Sequence, residues 1–258
     1  MNSSRSDVAA LLDLRNVSRQ FGGLAAVKDL SFSLRAGEIH GLIGPNGAGK
    51  TTTFNVISGF YKPSAGEVFY DGRRISGLRP SAIAARGLVR TFQSTTLFHQ
   101  LSVLDNVLVG CHLRARVGLI DALLGTARRV EREAEARALA VLEFIGLGGR
   151  RGDLTMNLPH GYQRALGIAV ALAAEPRLLL LDEPFTGMNP EETRQMMVLI
   201  EKVRERGVTI LLVEHDMRAV MGLCDRITVL NFGQLLAEGT PAEIQRHPAV
   251  IEAYLGAA

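Results

Sequence analysis

Ile39-His40-Gly41-Leu42-Ile43 runs directly into Gly44-Pro45-Asn46-Gly47-Ala48-Gly49-Lys50-Thr51-Thr52, and the architecture turns on this stretch. Residues 44 to 51 fit G-x-x-x-x-G-K-[ST] without a gap. The aliphatic run before them reads as a buried strand, and the residues from Lys50 to Gly59 read as a helix. Bare glycines let the backbone wrap a phosphate, with its amide hydrogens pointing inward and the positive end of the helix behind them. In that cradle Lys50 reaches the terminal phosphates and Thr51 offers a hydroxyl to Mg²⁺. A plain Gly-rich turn is the competing reading, and the flanking strand and helix argue against it.

A second apolar run, Leu178 to Leu181, ends in Asp182-Glu183-Pro184. Two carboxylates at the tip of a buried strand are costly unless they meet a cation or take up protons. Asp182 is placed to hold Mg²⁺ through water, and Glu183 to orient an attacking water. Val208 to Val213 is a third strand. Ile227 to Leu230 and Gln234 to Ala237 flank Asn231-Phe232-Gly233 as a hairpin. Strands spaced by helical patterns predict an α/β fold with a mainly parallel sheet.

The segment from 94 to 174 differs, because almost nothing in it alternates like a strand. Val130, Ala134, Ala138, Val141, Leu142 and Ile145 recur at helical spacing, and Gly146 is placed as a C-cap. The charges from Arg128 to Glu135 read as its solvated face. A further helix is expected from Gln163 to Ala174. Thr240-Pro241-Ala242-Glu243 reads as a capping box opening a last short helix.

Composition narrows the class. Of 258 residues, 47% are hydrophobic and 21% charged, which is globular rather than disordered. Basic residues number 29 against 26 acidic, too even to indicate nucleic acid. Two cysteines, Cys111 and Cys224, make neither a disulfide framework nor a four-cysteine zinc site. The longest apolar run, Ala165 to Ala174 with Gly167 counted, is ten residues, about half a membrane span. Met1 to Asp7 lacks a signal-peptide core, so a cytoplasmic setting is expected.

The two phosphate-site motifs, in this order with helices between them, resemble the ATP-binding subunits of ABC transporters. The resemblance implies a P-loop NTPase (RecA-like) core, residues 1–93 and 175–258, with an antiparallel β subdomain and an inserted α-helical subdomain, 94–174. Its remaining motifs fall on named residues. Phe21, in Arg19-Gln20-Phe21-Gly22-Gly23, matches the aromatic that stacks on adenine, although a core aromatic would read the same alone. Gln93, in Arg90-Thr91-Phe92-Gln93, matches the glutamine that links the metal and ATP to the helical subdomain. His215, in Val213-Glu214-His215-Asp216, matches the histidine that contacts the γ-phosphate; the other five histidines have no metal-ligand spacing. Lys50, Gln93, Glu183 and His215 then form the catalytic set, with Thr51, Gln93 and Asp182 around Mg²⁺. Gly44 to Thr52 hold the ATP phosphates. The usual Leu-Ser-Gly-Gly-Gln is here Leu158-Pro159-His160-Gly161-Tyr162, without its serine and with one glycine. Backbone amides at the start of the following helix are expected to serve in its place, Gly161 reaching the ATP of a second subunit.

Finer features are similar to the ATPases of branched-chain amino acid importers. These are Gly187-Met188-Asn189-Pro190, Arg90 to Phe98, Leu101 to Gly110, Ala237 to Ile244 and Ile251 to Leu255. Asn189 with Pro190 and Glu192 reads equally as a helix cap. The resemblance spans residues 11–256. It implies integral-membrane permease subunits, a second ABC ATPase (identical or not) and, indirectly, a periplasmic solute-binding protein as partners. It implies no nucleic acid partner, and places the chain on the inner face of the membrane. Rival readings are an ABC ATPase of another system such as lipopolysaccharide export, a cytosolic ABC ATPase, a GTPase or kinase, and a scaffold without turnover. A single cassette without sustained heptads and the lack of Asn-Lys-x-Asp weigh against the cytosolic ATPase and the GTPase.

Overall fold

The computed structural model describes residues 10–91, 97–112 and 127–255. Gln93 lies outside them. The chain divides into two compact units, Met1–Pro80 with Arg204–Ala258, and Ser81–Val203.

The first unit opens with β1 (Ala10–Phe21) and β2 (Leu24–Arg35), an antiparallel pair. In β2 Leu30, Phe32 and Leu34 are buried while Ser31, Ser33 and Arg35 are not, the period-two pattern of a sheet with one wet face. Asn16 and Asp29 both have φ of 48°, at irregularities where Asn16 N–H donates to Ser31 Oγ and Asp29 N–H to Ser18 Oγ. β3 (Ile39–Ile43) is buried throughout and leads into α1 (Lys50–Ile57). α1 stops two residues before Gly59, whose φ of 81° cannot continue a helix. β4 (Ala65–Tyr70) and β5 (Arg73–Arg74) return to the antiparallel sheet, whose order is β2-β1-β4-β5.

The second unit contains α2 (Pro80–Ala84) apart from its first residue, and β6 (Leu88–Arg90). α3 (Val103–His112) and α4 (Ala127–Phe144) follow. α4 closes as the sequence predicts: Gly146 has φ of 78°, Gly146 N–H donates to Glu143 O, and Leu147 N–H to Leu142 O. That is a Schellman cap, with Leu142 and Leu147 both buried. α5 (His160–Ala173) begins three residues earlier than expected, because Pro159 serves as its N-cap with extended geometry. β7 (Leu178–Asp182) runs parallel to β6, and α6 (Pro190–Glu205) follows.

The chain then completes the first unit. β8 (Thr209–Val213) pairs parallel with β3, as does β9 (Arg226–Asn231), separated from it in sequence by α7 (Met217–Leu223). β10 (Gln234–Gly239) folds back on β9 as the expected hairpin. The capping box forms at α8 (Pro241–Gln245), and α9 (Pro248–Leu255) ends the described chain. One polar residue interrupts buried β3. His40 is fully buried, its Nδ1 3.1 Å from Glu38 Oε1 and its Nε2 2.8 Å from Thr228 Oγ1. Both ring nitrogens are thereby satisfied, which is what allows an imidazole in a core strand.

Candidate functional site

The first unit carries the glycine loop between β3 and α1. Ala48 N–H donates to Pro45 O and Thr53 N–H to Gly49 O, closing the loop onto the helix. Lys50 curls back over it, Nζ donating to Gly44 O at 2.6 Å and Pro45 O at 2.9 Å. Thr51 is exposed on the first turn of α1, Thr52 is half-buried, and Thr53 Oγ1 donates to Gly49 O. The glycines have a second reason beyond room for a phosphate. A Cβ on Gly49 would sit 2.5 Å from Ala26 O, and one on Gly44 would strike Leu230 O, whereas Gly47 faces open space. Gly44 and Gly49 are therefore demanded by the backbone behind the loop. That backbone is also tied to it: Gly233 N–H donates to Ala48 O, and Lys28 N–H to Gly233 O.

Phe21 ends β1 and is 38% exposed, so it is not the core aromatic of the competing reading. Its ring meets Tyr61 edge-on at 5.2 Å, and the Arg19 guanidinium lies 4.5 Å from its centroid. Beyond β8, Glu214 is buried and its Oε2 accepts from His215 N–H at 2.9 Å and Asp216 N–H at 3.3 Å. Asp216 caps α7 by accepting from Arg218 N–H and Ala219 N–H. Two carboxylates thus fix the turn that leaves the His215 side chain 62% exposed.

The second unit carries the acidic strand end. Asp182 is 7% exposed, and its Oδ2 accepts from Arg90 Nη2 at 2.7 Å. The cation that a buried carboxylate requires is supplied here by the protein itself. Glu183 follows with φ of 48°, a left-handed conformation that is strained for a long side chain and persists where the surroundings impose it. Thr186 Oγ1 donates to Glu183 Oε2 at 3.2 Å, and buried Phe185 anchors the turn between them.

The Leu158–Tyr162 motif is a loop-to-helix junction in the same unit. Leu158 is buried, and Gln163 donates through Nε2 to Leu158 O and through its backbone to Pro159 O. Gly161 packs against α6, where an added Cβ would approach Glu192 Oε1 to 3.1 Å. Gly187 lies against His160 in the same way. Asn189 does cap α6: its Oδ1 accepts from Glu191 and Glu192 N–H, and Glu192 Oε2 accepts from Asn189 N–H in return. Tyr162 is exposed beneath the Arg150 guanidinium, 5.1 Å from its centroid.

Sequence reasoning found the glycine loop, the acidic strand end and His215, but not Arg90 and Thr186 as supports of the strand end or Glu214 as the support of the His215 turn. A cation closing a buried strand was the available signal for Arg90. Neither cysteine is poised for chemistry. Burial pushes the Cys224 thiol up to about 12 and raises that of Cys111.

The glycine loop of the first unit and the acidic strand end of the second, in this order along the chain, define a class of cassette ATPase. The ABC transporter family model matches residues 27–186, and the chain belongs to that family. A model described as branched-chain amino acid ATP-binding cassette transporter matches residues 234–258. The chain is 48% identical over 251 residues to the high-affinity branched-chain amino acid transport ATP-binding protein LivG of Salmonella typhimurium, covering 96% of this chain and 98% of that protein. It is 43% identical to BraF, of the same description, from Pseudomonas aeruginosa, again covering 96% and 98%. Among solved structures it resembles the ADP conformation of MJ1267, an ATP-binding cassette of an ABC transporter. There the TM-score is 0.86 at 29% identity, over 96% of this chain and 99% of that one.

Proposed function

We propose that this chain is the ATP-binding and ATP-hydrolysing subunit of an importer for branched-chain amino acids or a related amino acid, amide or organic acid. The observation that carries this is the glycine loop closed by Lys50, in a chain whose length matches LivG almost end to end. The amides of residues 44 to 52 bind the phosphates. Lys50 trades the carbonyls of Gly44 and Pro45 for phosphate oxygens, a short move for a side chain already over the cradle. Phe21 offers its exposed face to adenine; base–aromatic stacking is worth about 1–3 kcal/mol.

Among the described residues no group of three His, Cys, Asp or Glu could hold a metal ion. The hard oxygens of Thr51 and Asp182 suit Mg²⁺ carried in with the nucleotide, with Gln93 as a third donor. Bound there, Mg²⁺ neutralises phosphate charge. Glu183 orients the attacking water and accepts its proton, and His215 contacts the γ-phosphate from its fixed turn. The site is completed by a second ATPase subunit, whose Leu158–Tyr162 equivalent covers the phosphates and excludes water. Backbone amides at the start of α5 take the role of the missing serine.

No helix among the described residues is long and apolar enough to cross a membrane. We infer a peripheral position on the inner face, through integral permease subunits fed by a periplasmic binding protein. The helical segment 94–174 is the permease-facing part. There Phe98, Leu101, Leu154 and Met156 are all exposed, on two loops joined by Thr155 N–H to Leu101 O and Met156 N–H to His99 O. Such an apolar patch suits a helix of the permease.

The test is Glu183→Gln in the assembled transporter. ATP binding should persist while hydrolysis falls about 10²–10⁴-fold. Unchanged turnover would remove Glu183 from its role.

A further inference from the structure

β6 and β7 lie parallel in the register Leu88↔Leu178, Val89↔Leu179 and Arg90↔Leu180. Side chains alternate along a strand, so Arg90, Leu180 and Asp182 point to one face at the C-terminal end of the pair. Thr91 extends the pairing, its N–H and Oγ1 both donating to Leu180 O at 2.9 and 3.3 Å. On this rigid base Arg90 Nη2 meets Asp182 Oδ2 at 2.7 Å, with the side chains only 8% and 7% exposed.

Two ions this far from water persist only if each is held by the other and by good hydrogen bonds. Removing one partner strands the other. Asp182 is also the carboxylate assigned above to the hydrated metal. A carboxylate that must meet a metal–water shell gains from being fixed in one rotamer before the metal arrives, since its ordering is then complete. A guanidinium on the neighbouring strand does this.

We propose that Arg90 is a positioning residue of the metal–nucleotide site, holding Asp182 aligned so that Mg²⁺ tightens nucleotide binding. This rests on the reading of Asp182 given above. Arg90 touches neither nucleotide nor metal; it acts through Asp182. It also stands three residues before Gln93 in the sequence.

The experiment measures binding of a fluorescent ATP analogue to the full chain with and without Mg²⁺. The variants are Arg90→Met, Arg90→Gln, Asp182→Asn and the Arg90→Met/Asp182→Asn double. Thermal unfolding of each is followed in parallel. Affinity without Mg²⁺ should stay within about twofold of wild type, because the glycine loop is untouched. The gain on adding Mg²⁺ should fall about tenfold in each single variant, and no further in the double, since both act through one carboxylate. Should Arg90→Met fail to fold, Arg90→Gln keeps a donor for Asp182 and the double variant removes both charges, so the comparison stands. A full Mg²⁺ gain in any folded Arg90 variant overturns the proposal, as does equal weakening with and without the metal. If the wild-type chain bound the analogue in neither condition, the nucleotide reading itself would fail, which is a separate result.

Discussion

Glu183 shows how much a single position can carry. Its φ of 48° bends the chain sharply after β7, and Thr186 holds one of its carboxylate oxygens at 3.2 Å. The hydroxyl aligns the carboxylate without removing its charge. Thr186→Val should therefore lower kcat about three- to tenfold with KM for ATP unchanged, the expected loss for one exchangeable hydrogen bond worth about 1 kcal/mol. Thr186→Ser should restore it. Steady-state ATPase assays on the assembled transporter separate the two constants; a rise in KM alone would mean that Thr186 serves binding. Glu183 was legible in sequence from its place after an apolar run. Thr186 was not, because the turn that brings it back depends on a left-handed residue that the letters Glu-Pro-Phe-Thr do not announce.

Among the elements, the β9–β10 hairpin has the plainest local conflict. Its two turn residues, Phe232 and Gly233, have φ of 46° and 78°, the geometry that favours Asn-Gly. Phe232 is 85% exposed, so its ring gains almost nothing by burial. Phe232→Asn should stabilise the chain by about 1 kcal/mol, the approximate cost of a left-handed conformation for an ordinary residue. Thermal unfolding should register this as a rise of about 2 °C for a chain of this size. An unchanged midpoint would show that the ring is held by contacts worth as much as the strain. The hairpin was predicted from its apolar flanks and its glycine. Its tie to the nucleotide loop, Gly233 N–H to Ala48 O, joins residues far apart in the chain and has no sequence signature. One helix start was read less well. Pro159 and His160 were assigned to a loop, yet the proline's fixed φ makes it a serviceable N-cap for α5.

The molecule as a whole buries both thiols within its units. Cys224 lies against Gly41, where an added Cβ would come within 3.0 Å of its Sγ, and Cys111 Sγ lies 3.5 Å from Ala134 O. With Cys224 pushed up to about 12 and Cys111 raised, neither supplies thiolate near neutrality. A colorimetric thiol reagent at pH 8 should find no fast-reacting group in the native chain and two in guanidinium. Rapid labelling of one thiol under native conditions would reveal local opening of the unit that holds it.

Motifs whose chemistry is contained in a contiguous stretch were readable from the chain alone: the glycine loop, the acidic strand end, the α8 capping box and the Schellman stop of α4. The residue types that define each lie within a few positions of one another, so type and spacing suffice to recognise it. The partners of those motifs were not readable. Arg90 reaches Asp182 across 92 positions, His40 is satisfied by Thr228 across 188, and the oxygen of Ala26 forbids a side chain on Gly49. Strand pairing creates these neighbours. Long-range register is set by the burial of whole faces at once, and no short stretch of sequence contains that information.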